Sequence, residues 1–587
     1  MGAFFICKKE DTNRTKPALD LFTEMGFAPP TSFEVGRWQL FAYPKMVSVA
    51  SNVVSGHDSK LVSVGTPVYK GLDYAGSLSA LLQDFVYHRI DSEQLIGQYT
   101  LLFCYGDTIK ILCDSMGSKH LFTDNSFSVL SSHMLPICQS LDGNLHINRK
   151  AFYEKFLTGI IMSPNTLFHE VVQIDKQIAE RITSEDEGIE FIYTPTLRVR
   201  KSGVKVFKES LVEQANELKA YFELLGNSGR NGIDIGLSGG YDSRLGLACL
   251  NKYTKERIHL HSHATENDHL KDLTIAQKMA DYIGVPCHKV ATKKLIHCDH
   301  VDEIVRKSIL YFDGRSSFSI GGCGEVYTAS YRRESTEGTP FTLSGVGGEL
   351  YRNVFDIGFR SIRFDRFLED KVFSHSFKNA IPESLYSEMR NDIINRSAMR
   401  LGIDQRRRQS KMIAYRYYCE IMMPDGQGAA LDAYNQVSCC VAPFLEPRII
   451  EKGYEAIPFH HSGGTFEGKL IEYIDSGLAT ISSSYGYPIA NRPMKARVKE
   501  SLRTYIPTSL WNRFAIMLRN RQRDHYKLNV FSEFSANNRT LQEAYSYIID
   551  LFPEVNFSKY LQTKEEIRRA QFVAMTLFMF KERIKDK

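Results

Sequence analysis

A chain of 587 residues with 43% hydrophobic composition is too long for one ordinary core and divides into two or more domains. A formal charge of +5 argues against wholesale nucleic-acid binding and leaves room for a local basic patch. Eleven Cys, an odd number with no paired CxxC spacing, argue against a disulfide framework and fit reduced, cytoplasmic thiols.

The start, MGAFFICKKEDTNR, places a short apolar run ahead of charge, the reverse of a leader peptide. Ile6 stands where a myristoylation signal needs Ser or Thr. No window approaches eighteen uninterrupted apolar residues, so no membrane insertion is expected. Up to about residue 200, short β-rich runs alternate with turn residues: WQLFAYP, KLVSVGTPVY, QYTLLFCYG, TIKILCDSMG, SFSVLSS and IEFIYTPT. This spacing predicts a layered antiparallel sheet, with one helix at SLSALLQDFVYHRI, where apolar residues recur at helical intervals.

The texture changes after about residue 205. An amphipathic helix, SLVEQANELKAYFELLG, leads into the buried strand GIDIG, a glycine turn and a helix from Ser243. The strand RIHLHSHA, the helix KDLTIAQKMADYIG and the strand HKVAT follow. Strands alternating with helices of this length predict a parallel sheet with crossover helices. From about residue 360 the pattern is mostly helical.

Ligands of such sheets bind at the carboxyl ends of the strands, and LSGGYDS, Leu237 to Ser243, lies at such an end. Gly239 and Gly240 let backbone N–H groups approach an anion, Ser238 and Ser243 add hydroxyls, and the following helix dipole favours negative charge. Asp242 in this cradle makes sense as a ligand for Mg²⁺ on a phosphate. The loop lacks the GxxxxGK[ST] pattern of a Walker A motif. His261 and His263 share a strand face without a third ligand, and RRRQSK at Arg406 is an ordinary solvated helix face.

LSGGYDSR resembles the pyrophosphate loop of the N-type ATP pyrophosphatases, and two further segments narrow the resemblance to the asparagine synthetase family, type B. FTLSGVGGELYRN resembles its second loop, SGxGxDE: Ser344, Gly345 and Gly347 match, and Glu349 stands for the metal-binding Asp. VAPFLEPR is similar to the VPFLD segment near the substrate pocket, with Glu446 for Asp. The resemblance implies an α/β chain in two parts. Residues 1–205 would form an Ntn-hydrolase-like antiparallel sandwich, the degenerate amidotransferase domain. Residues 206–587 would form an N-type ATP pyrophosphatase (adenine nucleotide α-hydrolase-like) domain, helical from about 360.

Glutamine hydrolysis in this family uses a Cys exposed by removal of Met1, nucleophile and base in one residue. Here position 2 is Gly2 and the nearest thiol is Cys7, the RGPD-type segment is missing, and Lys70 in VYKGLDY takes an oxyanion Asn position. The glutaminase is expected to be dead, although the turn Asp114-Ser115-Met116-Gly117 keeps the fold's signature.

By the same resemblance, ATP and Mg²⁺ are the expected cofactors: Ser238, Gly239, Gly240 and Ser243 hold pyrophosphate, Asp242 and Glu349 the metal. Leu237, with His261 and Ser262, flanks adenine, while Ser344 and Gly345 reach the α-phosphate or ribose. The catalytic cation is expected after PFLEPR and a helix, at Lys495, with Arg492 and Lys499 as rivals in a basic stretch that runs to Lys527. The expected chemistry is adenylation of a small-molecule, peptide or sugar carboxylate and acyl transfer to ammonia or an amine, as in the family's β-lactam synthetase and lasso-peptide macrolactam cyclase branches. A pseudoenzyme scaffold and a nucleic-acid-modifying pyrophosphatase stay open as alternatives.

Overall fold

The computed structural model describes residues 2–192, 206–315, 341–456, 464–498 and 535–585, less 48, 144, 229–231, 255–256, 265–269, 292–298, 353, 356, 358–360, 497 and 536–537. Its first part pairs two sheets face to face. The strands are β1 (Ala3–Lys8), β2 (Thr31–Val35), β3 (Trp38–Tyr43), β4 (Val53–Ser55), β5 (Ser59–Gly65), the short β6 (Val68–Tyr69) and β7 (Leu95–Ile96), β8 (Tyr99–Tyr105), β9 (Thr108–Cys113), β10 (Phe122–Asp124), β11 (Val129–Ser131), β12 (Val171–Gln173) and β13 (Ile189–Ile192). One sheet has the order β12-β10-β11-β1-β3-β2 and the other β13-β9-β8-β5-β4, with β6 and β7 as a separate ribbon.

Alternation explains β1. Its side chains point by turns to opposite faces: Phe4 and Ile6 enter the core between the sheets with Leu40, Ala42, Val62, Leu102 and Ile111. Ala3, Phe5 and Cys7 enter the outer core, beneath α1 (Thr15–Glu24) and α3 (Met134–Ser140). Helix α2 (Tyr74–Val86) packs on β5, and its buried Leu78, Leu81 and Leu82 carry the expected helical spacing. A strand buried on both faces reads as a continuous apolar run rather than an alternating one, which is why AFFICK shows no strand period. Each fully buried Phe, Ile or Leu here contributes roughly 1.5–3 kcal/mol. The antiparallel expectation is corrected at one edge: β13, returning through helix α5 (Lys176–Glu185) after α4 (Arg149–Thr158), pairs with β9 in parallel.

After α6 (Phe207–Ser228), β14 (Ile233–Gly236), β15 (Ile258–Ala264), β16 (Cys287–Ala291) and β17 (Phe341–Leu343) form the parallel sheet. The last strand, β20 (Cys439–Val441), arrives through the helical region, where β18 (Ser361–Arg363) and β19 (Arg408–Ser410) make a small ribbon. The order is β16-β15-β14-β17-β20, every neighbouring pair parallel. Helices α7 (Asp242–Tyr253) and α8 (Leu270–Ile283) are the crossovers read in the sequence, and α9 (Val301–Tyr311) follows.

The expected boundary at about 205 lies outside the described residues, and one outer hydrophobic core runs through both parts. Polar ties cross between them. Asp432 accepts from Lys119 at 2.7 Å and from Arg315 at 2.9 Å, all three nearly out of solvent. Desolvation of a buried carboxylate is outweighed by these two cations, which hold Asp432 down to about 2. His120 beside them is pushed to about 3 by burial, so the neutral ring donates from Nε2 to the Pro424 carbonyl at 2.7 Å and accepts at Nδ1 from Arg315. Among the described residues no helix is long and apolar enough to cross a membrane.

Candidate functional site

In the parallel sheet the chain starts at β14, adds β15 and β16 on one side, then crosses to β17 on the other. The crevice at the carboxyl ends of β14 and β17 is therefore the topological switch point, where open α/β sheets bind ligands. Two loops frame it, Leu237–Tyr241 after β14 and Ser344–Gly347 after β17.

The first loop is set from below. Buried Leu237 donates its N–H to the His261 carbonyl at 2.7 Å and accepts at its own carbonyl from Ser262 Oγ at 2.8 Å. Ser262, expected near adenine, thus spends its hydroxyl on the loop's base. His261 is buried too, its Nδ1 2.9 Å from Asp234. Above this base Ser238 is exposed: its N–H donates to Ser243 Oγ at 3.2 Å, and its Oγ accepts from Gly240 N–H at 3.3 Å. Hydroxyls and amides therefore crowd the N-terminus of α7, a favourable seat for negative charge.

Gly239 is required by close approach. A Cβ there would lie 2.6 Å from Asp272 Oδ1 and 2.9 Å from Ser484 Cβ. Its N–H donates to Asp272 at 2.9 Å and its carbonyl accepts from Ser484 N–H at 2.9 Å. Lys271 reaches the Ser484 carbonyl at 2.5 Å. Arg244, fully buried on α7, donates to the carbonyls of Leu478, Ile481 and Ser482 and fixes the segment leading to Ser484.

The second loop lies against Asp242. A Cβ on Gly348 would fall 2.4 Å from Asp242 Oδ1, and one on Gly345 3.4 Å from Asp242 Cβ. Gly347, at φ 91°, makes the turn that allows this. Arg352, just beyond, donates from Nη2 to both Asp242 oxygens at 2.6 and 2.5 Å, and its Nε lies 3.4 Å from Glu467 Oε2. Glu467 is completely buried, and burial, with Asp242 beside it, pushes its carboxyl well above the ordinary range. Burial raises Asp242 as well, against the pull of Arg352. Glu349 accepts from Tyr418 Oη at 2.8 Å.

A divalent ion, which the resemblance implies, does not fit these residues as arranged. Mg²⁺ needs near-octahedral oxygens at about 2.0–2.1 Å, whereas both Asp242 oxygens are bonded to a guanidinium and Glu349 Oε2 to a phenol. Among the described residues no group of three or more His, Cys, Asp or Glu is arranged to hold a metal.

Of the cation candidates, Arg492 is buried and donates from Nη1 to Thr465 Oγ1 at 2.7 Å, while Lys495 is exposed. Lys499 and most of the basic stretch lie outside the described residues. Glu446 turns to the sandwich, where it accepts from Gly97 N–H at 2.8 Å, and burial pushes it up to about 8. Arg352, Glu467, Asp272 and Arg244 were not singled out by sequence reasoning. Arg352 sits three residues past Glu349, and an arginine so near a loop of glycines and an acid is the one signal that could have marked it.

The corner where the resemblance places a dead glutaminase is filled. Gly2 is buried, and a Cβ there would meet Asn52 Nδ2 at 2.1 Å and the Tyr43 carbonyl at 2.6 Å. Asn52 is itself fixed, donating to the carbonyls of Tyr43 and Ser63 at 2.9 and 3.1 Å. Cys7 is fully buried 3.3 Å from Thr15 Oγ1, and burial raises its thiol, so it supplies no thiolate. Lys70 is paired with Asp84. The Asp114 turn is intact: its carboxylate accepts from the N–H groups of Ser118 and Lys119 at 3.0 and 2.9 Å.

No protein-family model matches the sequence, and no curated protein matches it significantly. Among solved structures, the chain is similar to glutamine-dependent NAD⁺ synthetase from Acinetobacter baumannii in complex with ADP, at 14% identity and a TM-score of 0.17. That match covers 45% of this chain and 52% of that one, so the chain spans about half the length of the protein it matches. Overlap at this level carries no argument about the site.

Proposed function

We propose that the protein is an ATP-dependent ligase that adenylates a carboxylate, releases pyrophosphate and passes the acyl group to ammonia or an amine, with no glutamine hydrolysis of its own. The observation that carries this reading is the approach of the Ser344–Gly347 loop to the Ser238–Ser243 loop at the switch point of the parallel sheet, where a Cβ on Gly345 would lie 3.5 Å from Ser243 N. Ser238, Gly240 and Ser243 offer hydroxyl and amide donors to phosphate oxygens at the head of α7, where the helix dipole adds to them. Loss of pyrophosphate from the α-phosphate concentrates charge on oxygens that these groups would face, Gly240 N–H exchanging Ser238 Oγ for a phosphate oxygen. Asp272 holds Gly239 and thereby the loop's shape. Arg492, buried beside Thr465, is the better-fixed candidate for stabilising the acyl-transfer step, and exposed Lys495 the looser one.

A second reading, a binding scaffold of the same architecture, draws on the Asp272 carboxylate already accepting from one cradle amide. Calorimetry with ATP separates the two: the ligase reading expects saturable binding that the Ser238→Ala/Ser243→Ala double variant weakens by roughly tenfold or more. With a carboxylate panel and ammonia or amines, the products should be AMP and pyrophosphate. ADP as the stoichiometric product overturns the assignment.

A further inference from the structure

Resting on the nucleotide reading above, we infer that Arg352 serves as the cation of the phosphate site, so that a nucleoside triphosphate binds here without a divalent metal. Asp242 and Glu349 are the acids that the sequence resemblance assigns to metal. Both Asp242 oxygens are instead held by Arg352 Nη2, at 2.6 and 2.5 Å, and Glu349 Oε2 by the Tyr418 hydroxyl at 2.8 Å. The Gly348 backbone lies directly against Asp242, a Cβ there falling 2.4 Å from Oδ1, so that side of the carboxylate is walled by backbone.

Displacing Arg352 is costly because of what lies behind it. Its Nε is 3.4 Å from Glu467 Oε2, on a side chain with no solvent exposure. A metal that took Asp242 from Arg352 would have to move a guanidinium that is also seated against Glu467. Arg352 remains one-fifth exposed, so it reaches the crevice as well as the interior. A guanidinium presents five N–H donors in a plane and matches phosphate oxygens in pairs. Among the described contacts Nη2 and Nε face Asp242 and Glu467, and Nη1 is assigned to the phosphate.

The test uses the full chain and ATP, with affinity measured in EDTA and in Mg²⁺. Wild type is expected to bind with dissociation constants that agree within about threefold. Arg352→Ala should weaken binding in EDTA by roughly tenfold or more, with part of the loss restored by Mg²⁺ once the acids are exposed. If Arg352→Ala does not fold, Arg352→Met/Glu467→Gln removes the cation together with its buried acid and is read in the same way. Wild-type binding that requires Mg²⁺, or metal-free binding that survives loss of Arg352, overturns the inference and leaves the nucleotide reading standing. No binding under either condition removes the nucleotide site itself and both proposals with it.

Discussion

Gly2, at the head of β1, and Ser238, just past the end of β14, both lie beside the mouth of a sheet, and their surroundings differ in kind. Around Gly2 the space for a side chain is filled by Asn52, whose amide is committed to two backbone carbonyls. Around Ser238 the backbone is exposed, hydroxyls are bonded to one another and to the loop's own backbone, and glycine is kept where a neighbouring carboxylate approaches. On the proposed reading the first region contributes only packing, and the second keeps its donors at the surface for a ligand. Substitutions in the first region should therefore change unfolding and leave nucleotide affinity alone, and those in the second should do the reverse.

The largest effect is expected at the tie between the two parts. Asp432→Ala leaves Lys119 and Arg315 buried without their shared acid and should cost roughly 3–5 kcal/mol in chemical denaturation. A loss under about 1 kcal/mol would mean that the halves are not joined there. Next, Gly2→Cys should not restore a glutaminase. Overpacking against Asn52 should cost roughly 1–3 kcal/mol, with no glutamate formed from glutamine above an inert control. Glutamate release from the variant would show that the corner opens.

A pH experiment sharpens the same contrast. The folded state holds Glu446 near 8, above its unfolded value of about 4.3, so the unfolded chain ionises first as pH rises. The stability from neutral Glu446 is present below about 4.3 and is lost as pH climbs toward 8. Glu446→Gln keeps an acceptor for Gly97 N–H and should flatten that decline in a pH series of melting temperatures. Glu154, buried and pushed up to about 7, maintains a residual slope. An unchanged slope in the variant would remove Glu446 from the account. The smallest change in stability belongs to the loop: Ser238→Ala should shift unfolding by no more than about 0.5 kcal/mol while lowering ATP affinity severalfold. A variant that unfolds early with ATP affinity intact would reverse the contrast between the two regions.

What the sequence reveals and what it hides follow from the range of the interactions. The SGGYDS turn, the crossover helices α7 and α8 and the strands from Trp38, Tyr99 and Thr108 are local patterns and stand where periodicity places them. That position 2 is Gly rather than Cys is likewise legible, being one residue at one place. The Asn52 side chain packed beside it is fifty positions away, and nothing in its neighbourhood marks it. Arg352 meets Asp242 across 110 positions and Asp272 meets Gly239 across 33. The charge state of the cradle therefore appears only after the sheet has brought its loops together. Glu446 shows the same limit from the other side: a motif match directs it to a substrate pocket, and the fold gives it to Gly97.

The return of the chain to its beginning has a consequence for biosynthesis. Leu145 forms a parallel bridge with Ile584, Arg583 donates to the Cys138 carbonyl across 445 positions, and Phe552 stacks on Phe152 with ring centroids 3.5 Å apart. While the ribosome is still making the parallel sheet, α4 therefore waits uncovered, a nascent apolar surface of the kind that chaperones hold and that aggregates when crowded. Such distant closure slows folding. The sandwich expressed by itself should be a poor soluble product, and a premature stop within the helices Arg539–Leu551 and Lys564–Met579 should expose the first half of the molecule to proteolysis along with the second.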